Sequence, residues 1–316
     1  MTTTYNLQPT TYDLIIIGAG PAGTAAGVYA SRKKLKTILI TPEFGGQSVV
    51  SPDIQNWIGT PSISGTDLAI NFRKHLEKYA GNTLTMKEGE KVSEVKKESD
   101  GFRVTTEEGN IYRGKTILIA TGSGRKKLPA KGADELEHKG ITYCASCDGP
   151  LFDGQDVAVI GGGNAGFETA AQLLAYTKSV TLLNHSEGYK ADPVTIEKVL
   201  ANPKMKAIDN VDVIEVKGSK FVESLVYKNN KDGTLHDLNV TGVFVEIGQI
   251  PNTAFVKAIV ELDNYGRIKI NPRTQMTSVE GIWAAGDATD VLYHQNNIAA
   301  GDAVRAVEDI YLHLNA

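Results

Sequence analysis

The sequence contains little cysteine and little excess charge, and both shortages narrow what the protein can do. Only two of its 316 residues are cysteines, which excludes the disulfide framework that holds small secreted domains together. The formal net charge of −4 provides no broad basic surface for a nucleic acid or an anionic membrane. We therefore expect neither as a partner, and the length favours a globular protein of two domains.

Long hydrophobic runs are missing as well. The longest uncharged stretch, residues 14–31, is interrupted by glycines and a proline, which favours a strand, a turn and a helix over a membrane span. The opening residues, MTTTYNLQPTTYD, have neither the basic nor the apolar region of a signal peptide. These features predict a cytoplasmic protein that does not associate with a membrane.

Glycine, in contrast, is plentiful and clustered. The segment YDLIIIGAGPAGTAAGVYA begins with strand formers, turns through Gly18, Gly20 and Gly23, and continues as a helix of small residues. In such a GxGxxG turn the first glycine permits the tight bend, the second lets a diphosphate approach the backbone, and the third lets helix and strand pack closely. The segment therefore predicts a dinucleotide site at a helix N-terminus, with an ordinary tight turn as the alternative.

The pattern recurs in DVAVIGGGNAGFETAAQLL, where Gly161, Gly163 and Gly166 follow a second apolar strand. Two such turns predict two nucleotide-binding domains. After the second domain, an apolar strand leads into AAGD and an amphipathic helix, which suggests that the chain returns to the first domain. We predict an α/β protein of two Rossmann-like, three-layer (β-β-α) domains, in which the first domain (1–121 and 251–316) is interrupted by an inserted domain (122–250) that carries the cysteines.

Both cysteines lie in GITYCASCDGPLF, as Cys144 and Cys147, and Asp148 follows them. A zinc site would need further ligands such as His138, and a structural disulfide serves little purpose in a cytoplasmic chain of this size, so both are the less favoured alternatives. A CxxC beside a nucleotide-binding fold is typical of a redox dithiol. We interpret the pair as a dithiol that cycles with its disulfide, without a metal.

The two glycine-rich turns, FGGQ, YCASCDGPLF, GGGNAG and AAGD occur in an order that resembles the low-molecular-weight thioredoxin reductases, from Tyr12 to the C-terminal helix. The sequence is equally similar to the flavoprotein component of alkyl hydroperoxide reductase, without that component's extra N-terminal thioredoxin-like module. The resemblance implies an FAD-dependent disulfide oxidoreductase that acts as a homodimer. It also implies a thioredoxin-like or glutaredoxin-like protein as the electron acceptor.

The resemblance further implies a role for each motif residue. Cys147 would exchange electrons with the flavin, Cys144 would attack the partner's disulfide, and Asp148 would serve as their acid and base, unless it only forms the turn before Gly149. The FAD would be held by the first glycine-rich turn together with Glu43, Gly46, Gln47, Asn56, Gly286, Asp287 and Gln295. A flavin-binding sensor without turnover is the non-enzyme alternative, and the intact cysteine pair argues against it.

The sequence departs from the family pattern in the second domain. Members that use NADPH carry an HRR triplet and a later arginine, which pair with the 2′-phosphate, whereas this chain has Asn184, His185, Ser186 and Lys190 in NHSEGYK. This predicts poor NADPH binding. NADH held in part by Asn184, a ferredoxin donor and a second flavin in this domain stay open as alternatives. A second departure is His294, which replaces an arginine or lysine at the flavin end.

Overall fold

The structure, a computed structural model, describes residues 11–51 and 53–316. It divides into two compact units, with boundaries between Gly124 and Arg125 and between Gln249 and Ile250. Unit 2 is the segment between these boundaries, and unit 1 comprises the chain on either side of it. The chain thus leaves unit 1, builds unit 2 and returns.

Seventeen strands and six α-helices follow one another along the described residues. The strands are β1 (Thr11–Ala19), β2 (Thr37–Phe44), β3 (Leu84–Glu88), β4 (Val92–Glu98), β5 (Gly101–Thr106), β6 (Ile111–Ile119), β7 (Ser123–Arg125), β8 (Ile141–Thr142), β9 (Asp156–Ile160), β10 (Ser179–Leu183), β11 (Met205–Ile208), β12 (Val211–Lys217), β13 (Ser224–Asn229), β14 (Leu235–Asn239), β15 (Gly242–Val245), β16 (Gln249–Pro251) and β17 (Ile282–Ala284). The helices are α1 (Pro21–Arg32), α2 (Gly65–Ala80), α3 (Ala145–Asp148), α4 (Asn164–Leu173), α5 (Pro193–Leu200) and α6 (Asn296–Asn315).

Unit 1 is built on a seven-stranded sheet in the order β3-β2-β1-β6-β5-β4, with β17 also paired to β6. Strands β1, β2 and β3 are parallel, and β6 is parallel to both β1 and β17. Strands β4, β5 and β6 form the expected antiparallel meander, whose first hairpin turns between Glu98 and Gly101. The buried apolar run of β1, residues 14–17, agrees with a parallel strand that is covered on both faces.

Alternation along β1 distributes its side chains between two apolar layers. Leu14 and Ile16 belong to a layer that includes buried residues of α1, α2 and α6. Ile15 and Ile17 belong to the opposite layer, which includes residues of the meander and of the segment that leads back to β17. Unit 1 therefore has helices on one face of its sheet and β-structure on the other.

Two helices of unit 1 show how sequence fixes their position. In α2, Ser64 accepts a hydrogen bond from the Asp67 backbone N–H at 3.0 Å and caps the helix, whose Leu68, Phe72 and Leu76 are buried at a spacing of four residues. In α6, Val307 and Ile310 are buried. A row of buried alanines (Ala299, Ala303 and Ala306) joins them in the layer shared with α1.

Unit 2 repeats this layering on a smaller scale. Its parallel sheet has the order β11-β10-β9-β15-β8, and β12, β13 and β14 form a separate antiparallel sheet. Val157 and Val159 share an apolar layer with α4 and α5, whereas Ala158 and Ile160 pack with the three-stranded sheet. The predicted α/β class with two three-layer, Rossmann-like domains is confirmed. None of the described helices combines the length and hydropathy required to cross a bilayer.

The return of α6 to unit 1 generates a stability prediction. Ile310→Ala should lower the free energy of unfolding of unit 1 by about 2–5 kcal/mol, because it leaves a cavity in a fully buried layer. Leu312→Ala on the same helix should cost less than about 0.5 kcal/mol, because that side chain is 67% exposed. Urea unfolding followed by tryptophan fluorescence reports unit 1, which contains both Trp57 and Trp283. Equal losses in the two variants would contradict this assignment of the core.

Candidate functional site

The first glycine-rich turn joins β1 to α1 in a conformation that only glycine fits. Gly18 has φ of +106°, and a Cβ there would lie 2.3 Å from the Ala120 carbonyl oxygen. A Cβ at Gly23 would lie 1.8 Å from the Gly18 carbonyl oxygen. At Gly20, by contrast, the nearest atoms would be 3.9 Å away. The backbone therefore requires the first and third glycines, whereas the second leaves an open surface at the N-terminus of α1.

Two other predicted glycines lie against this turn. The Gly45 N–H donates to the Ala19 carbonyl oxygen at 3.0 Å, which holds the FGGQ segment on the turn. A Cβ at Gly46 would be 3.4 Å from the Gly20 Cα, and a Cβ at Gly286 would be 3.5 Å from the Ala22 Cβ. The structure thus brings Gly46 and Gly286 to the first turn. Glu43 and Gln47 are exposed on either side of this segment.

Asn56 and Gln295 are brought into direct contact, although 239 residues separate them. The Asn56 side-chain amide donates to Gln295 Oε1 at 3.1 Å. The Asn297 amide donates to the Asn56 carbonyl oxygen at 2.7 Å, and Ser48 Oγ donates to Asn296 Oδ1 at 3.0 Å. Sequence reasoning missed Ser48, Asn296 and Asn297, for which the run of three amides at the start of α6 was the available signal.

Asp287 follows Gly286 in a short 3-10 turn. It lies near His294, the residue at which the sequence departs from the family pattern. His294 Nδ1 lies 3.4 Å from Asp287 Oδ1. This nitrogen is buried and has no hydrogen-bond partner. A buried polar atom without a partner in the protein is a natural contact for a polar ligand.

These features fit FAD. The N-terminus of α1 has no side-chain cap, so its backbone N–H groups can bind an anion, and the surface at Gly20 is open. Amide, carboxylate and imidazole groups lie around the same turn and match the polar groups of a flavin and its ribityl chain. Gly18, Gly20, Gly23, Gly46, Asn56, Gly286, Asp287 and Gln295 would therefore hold FAD.

In the glycine-rich turn of unit 2, the backbone again requires the first and third glycines, and the second again leaves an open surface. A Cβ at Gly161 would be 2.3 Å from the Glu246 carbonyl oxygen, and one at Gly166 would be 1.9 Å from the Gly161 carbonyl oxygen. At Gly163 a Cβ would meet no atom within 4 Å. The turn follows β9, and the strand order reverses between β9 and β15, which is where doubly wound sheets bind their ligands.

Asn184, which we expect to hold NADH in part, forms hydrogen bonds within its own loop. Its amide nitrogen donates to the carbonyl oxygens of Ser186 and Gly188 at 2.8 and 2.6 Å. The side chain is 9% exposed and lies over Gly162, where a Cβ would be 2.4 Å from the Asn184 Cγ. Asn184 therefore shapes the loop at the end of β10 and uses its amide hydrogens there.

Two carboxylates that sequence reasoning missed face this loop. Asp209 accepts a hydrogen bond from the Gly188 N–H at 2.6 Å. Asp212 is hydrogen-bonded to Nδ1 of His185. Both acids follow β11 in the segment IDNVD, whose two aspartates were the available signal. The loop therefore presents negative charge beside its histidine.

The cysteine site lies in the short helix α3. Cys144 and Cys147 form a disulfide with their Cα atoms 5.3 Å apart. Cys144 caps this turn, since its sulfur accepts from the Cys147 N–H at 3.1 Å. Spacing, helix and pairing thus hold the two sulfurs at bonding distance across one helical turn.

Asp148 completes this cluster. Its Oδ2 accepts a hydrogen bond from Thr142 Oγ1, and its Oδ1 is buried without a hydrogen-bond partner. Burial raises the pKa of Asp148, although the Thr142 bond and the nearby His138 oppose the shift. A carboxyl that holds its proton more tightly than usual is suited to exchange protons with thiols. His138, considered only as a metal ligand from sequence, thus belongs to the surroundings of Asp148.

Comparison with known proteins identifies the family of the chain. Residues 12–303 match the family described as pyridine nucleotide-disulphide oxidoreductase. One component of the alkyl hydroperoxide reductase of Escherichia coli (strain K12) is 38% identical over 297 residues, which are 93% of this chain and 57% of that protein. The chain thus spans little more than half the length of this curated relative.

Solved structures are similar along their whole length. A thioredoxin reductase from Streptococcus pyogenes MGAS5005 shares 33% identity at a TM-score of 0.90, covering 98% of this chain and 99% of that chain. A thioredoxin reductase from Giardia duodenalis shares 32% identity at the same TM-score, covering 97% of this chain and 100% of that chain. The similarity therefore includes both units.

The contrast between the second and third motif glycines can be tested in unit 1. Gly20→Ala should leave the apoprotein as stable as the parent but weaken FAD binding by about tenfold or more, because the new methyl group occupies the open surface. Gly23→Ala should destabilise the apoprotein itself, because its Cβ overlaps the Gly18 carbonyl oxygen. Thermal unfolding of the apoproteins and FAD titration by fluorescence measure both effects. Undiminished FAD affinity in Gly20→Ala would contradict this site.

Proposed function

Because the chain belongs to the pyridine nucleotide-disulphide oxidoreductase family, we propose that it is a thioredoxin reductase-like enzyme that passes electrons through FAD to the Cys144–Cys147 disulfide and on to a partner protein. The observation that carries the proposal is the Cys144–Cys147 disulfide beside Asp148 in a fold with two open glycine-rich turns. A nucleotide-binding sensor would need neither the disulfide nor the proton-holding carboxyl.

When bound and reduced, FAD would supply the two electrons that, together with two protons, convert the disulfide to a dithiol. The thiolate of Cys144 then attacks the disulfide of the partner and forms a mixed disulfide. The thiolate of Cys147 attacks Cys144 Sγ, which restores the Cys144–Cys147 bond and releases the partner as a dithiol. Asp148 accepts and returns protons at these sulfurs, and Thr142 holds its carboxyl in place.

The partner that fits this chemistry carries an accessible disulfide on a thioredoxin-like or glutaredoxin-like fold. The structural similarity to thioredoxin reductases supports a thioredoxin-like protein. The identity of 38% with a component of an alkyl hydroperoxide reductase favours a second candidate, a partner from a peroxide-reducing system. In both cases the chain carries the same two-electron exchange at Cys144.

For the electron donor we propose NADH. In the loop at the end of β10, the imidazole of His185 is already hydrogen-bonded to the carboxylate of Asp212. A second carboxylate, that of Asp209, accepts a hydrogen bond from the backbone of the same loop. A 2′-phosphate would meet these negative charges without the guanidinium groups that usually bind it. A ferredoxin, or a second flavin in unit 2, is the alternative donor, and failure of every pyridine nucleotide to reduce the flavin would favour it.

Serine variants test the route through the disulfide. Cys147→Ser should abolish electron transfer from reduced FAD to the partner, because no internal disulfide can form. Cys144→Ser should also stop turnover while leaving Cys147 as a lone thiol. Reduction of a thioredoxin is measured under anaerobic conditions with chemically reduced enzyme, and Ser146→Ala, an exposed position between the two, serves as the control. Parental rates in either cysteine variant would remove the pair from the mechanism.

The donor prediction rests on charge. NADPH should bind no better than NADH, and about 150-fold or more weakly than it binds a site with paired guanidinium groups, since at least two charged hydrogen bonds of roughly 1.5–3 kcal/mol each are missing. Asp212→Asn should improve NADPH binding by several-fold because it removes a carboxylate and releases His185, while NADH binding stays constant. Stopped-flow reduction of the FAD by each nucleotide measures this. Faster reduction of the parent by micromolar NADPH than by NADH would contradict the proposal.

A further inference from the structure

Glu246 lies at the end of a strand of unit 2, next to the predicted nucleotide site. It directly follows β15, and its backbone N–H donates to the Ile160 carbonyl oxygen at 2.8 Å. Its own carbonyl oxygen blocks any side chain at Gly161, the first glycine of the turn. The reversal of strand order lies between β9 and β15, and nucleotides bind across that point. Glu246 therefore borders the nucleotide crevice.

The topology also indicates which half of a dinucleotide reaches Glu246. The adenosine half belongs beside β10, the strand that ends at Asn184, and the diphosphate belongs at the turn after β9. The half beyond the diphosphate must then extend to the other side of β9, toward the end of β15. In NADH this half carries the nicotinamide.

The Glu246 side chain is held in a defined position. Thr169 Oγ1, on α4, donates to Glu246 Oε1 at 2.8 Å. Burial raises the pKa of Glu246, the Thr169 bond and Arg125 favour its charged form, and Glu168 opposes it. A carboxylate that is partly removed from water acts more strongly on a nearby charge than an exposed one. The carboxylate can therefore distinguish ligands that differ in charge.

We propose that Glu246 determines the preference of unit 2 for the oxidation state of its nucleotide, because its carboxylate favours the cationic nicotinamide of NAD⁺ over the neutral ring of NADH. The inference rests on the proposed use of NADH. Loss of a hydride, two electrons with one proton, to oxidised FAD leaves the ring with one positive charge, and the reduced flavin takes its second proton from water. Glu246 thus favours the product of this step.

Binding measurements on the FAD-loaded protein test this without turnover. Three probes are titrated by calorimetry at about pH 8, because alkaline pH favours the ionised carboxylate: NAD⁺, tetrahydro-NADH, whose neutral ring cannot donate a hydride, and ADP-ribose, which has no nicotinamide. Glu246→Gln removes the charge and keeps the shape, and Glu246→Asp keeps the charge. Glu135→Gln, at an exposed position before β8 in the same unit, is the control for the loss of one negative charge.

We expect Glu246→Gln to lower the ratio of NAD⁺ affinity to tetrahydro-NADH affinity by about tenfold while ADP-ribose affinity stays constant. Glu246→Asp should retain most of the parental ratio, and Glu135→Gln all of it. An unchanged ratio in Glu246→Gln, with ADP-ribose still bound, would overturn the role of Glu246 and leave the proposed donor intact. Failure of the parent to bind ADP-ribose or either dinucleotide would overturn both.

Discussion

In each of the two units, a strand and the helix that follows it approach each other closely at one pair of glycines, and the nucleotide turn depends on this contact. In unit 1, Gly23 lies so near the Gly18 carbonyl oxygen that a single methyl group would overlap it, and Gly166 and Gly161 repeat the relationship in unit 2. This contact places the first turn of the helix directly above the end of the strand. The helix N-terminus then faces outward over an open glycine.

The two turns have the same backbone geometry but differ in the polar side chains around them. Around the first, the chain gathers amides from the start of α6, the Asp287 carboxylate and an unpartnered His294 nitrogen. Around the second, it places Asp209 and Asp212 beside the β10 loop, and Glu246 at the end of β15. Backbone geometry thus provides two open helix N-termini, and the side chains around them differ in charge.

Much of this could be predicted because the decisive features are local. A GxGxxG turn, a CxxC pair and a strand that ends in Gly-Asp each involve a few neighbouring residues, so the sequence displays them directly. The hydrogen bond of Ser48 to Asn296 joins residues that are 248 positions apart, and no local pattern announces it. Asn184 shows a different limit: its position at the end of β10 was evident, but the two carbonyl oxygens that engage its amide were not. Side-chain direction depends on the folded loop, and sequence patterns do not contain it.

The central claim is that the Cys144–Cys147 disulfide and a bound FAD exchange electrons within one chain. An anaerobic titration with dithionite, followed by flavin absorbance, tests this most directly, because a flavin and a disulfide each accept two electrons. We expect the FAD-loaded protein to take up about four electrons per chain and Cys147→Ser to take up about two. Complete flavin reduction at about two electrons in the parent, with the disulfide still intact by thiol counting, would contradict the claim.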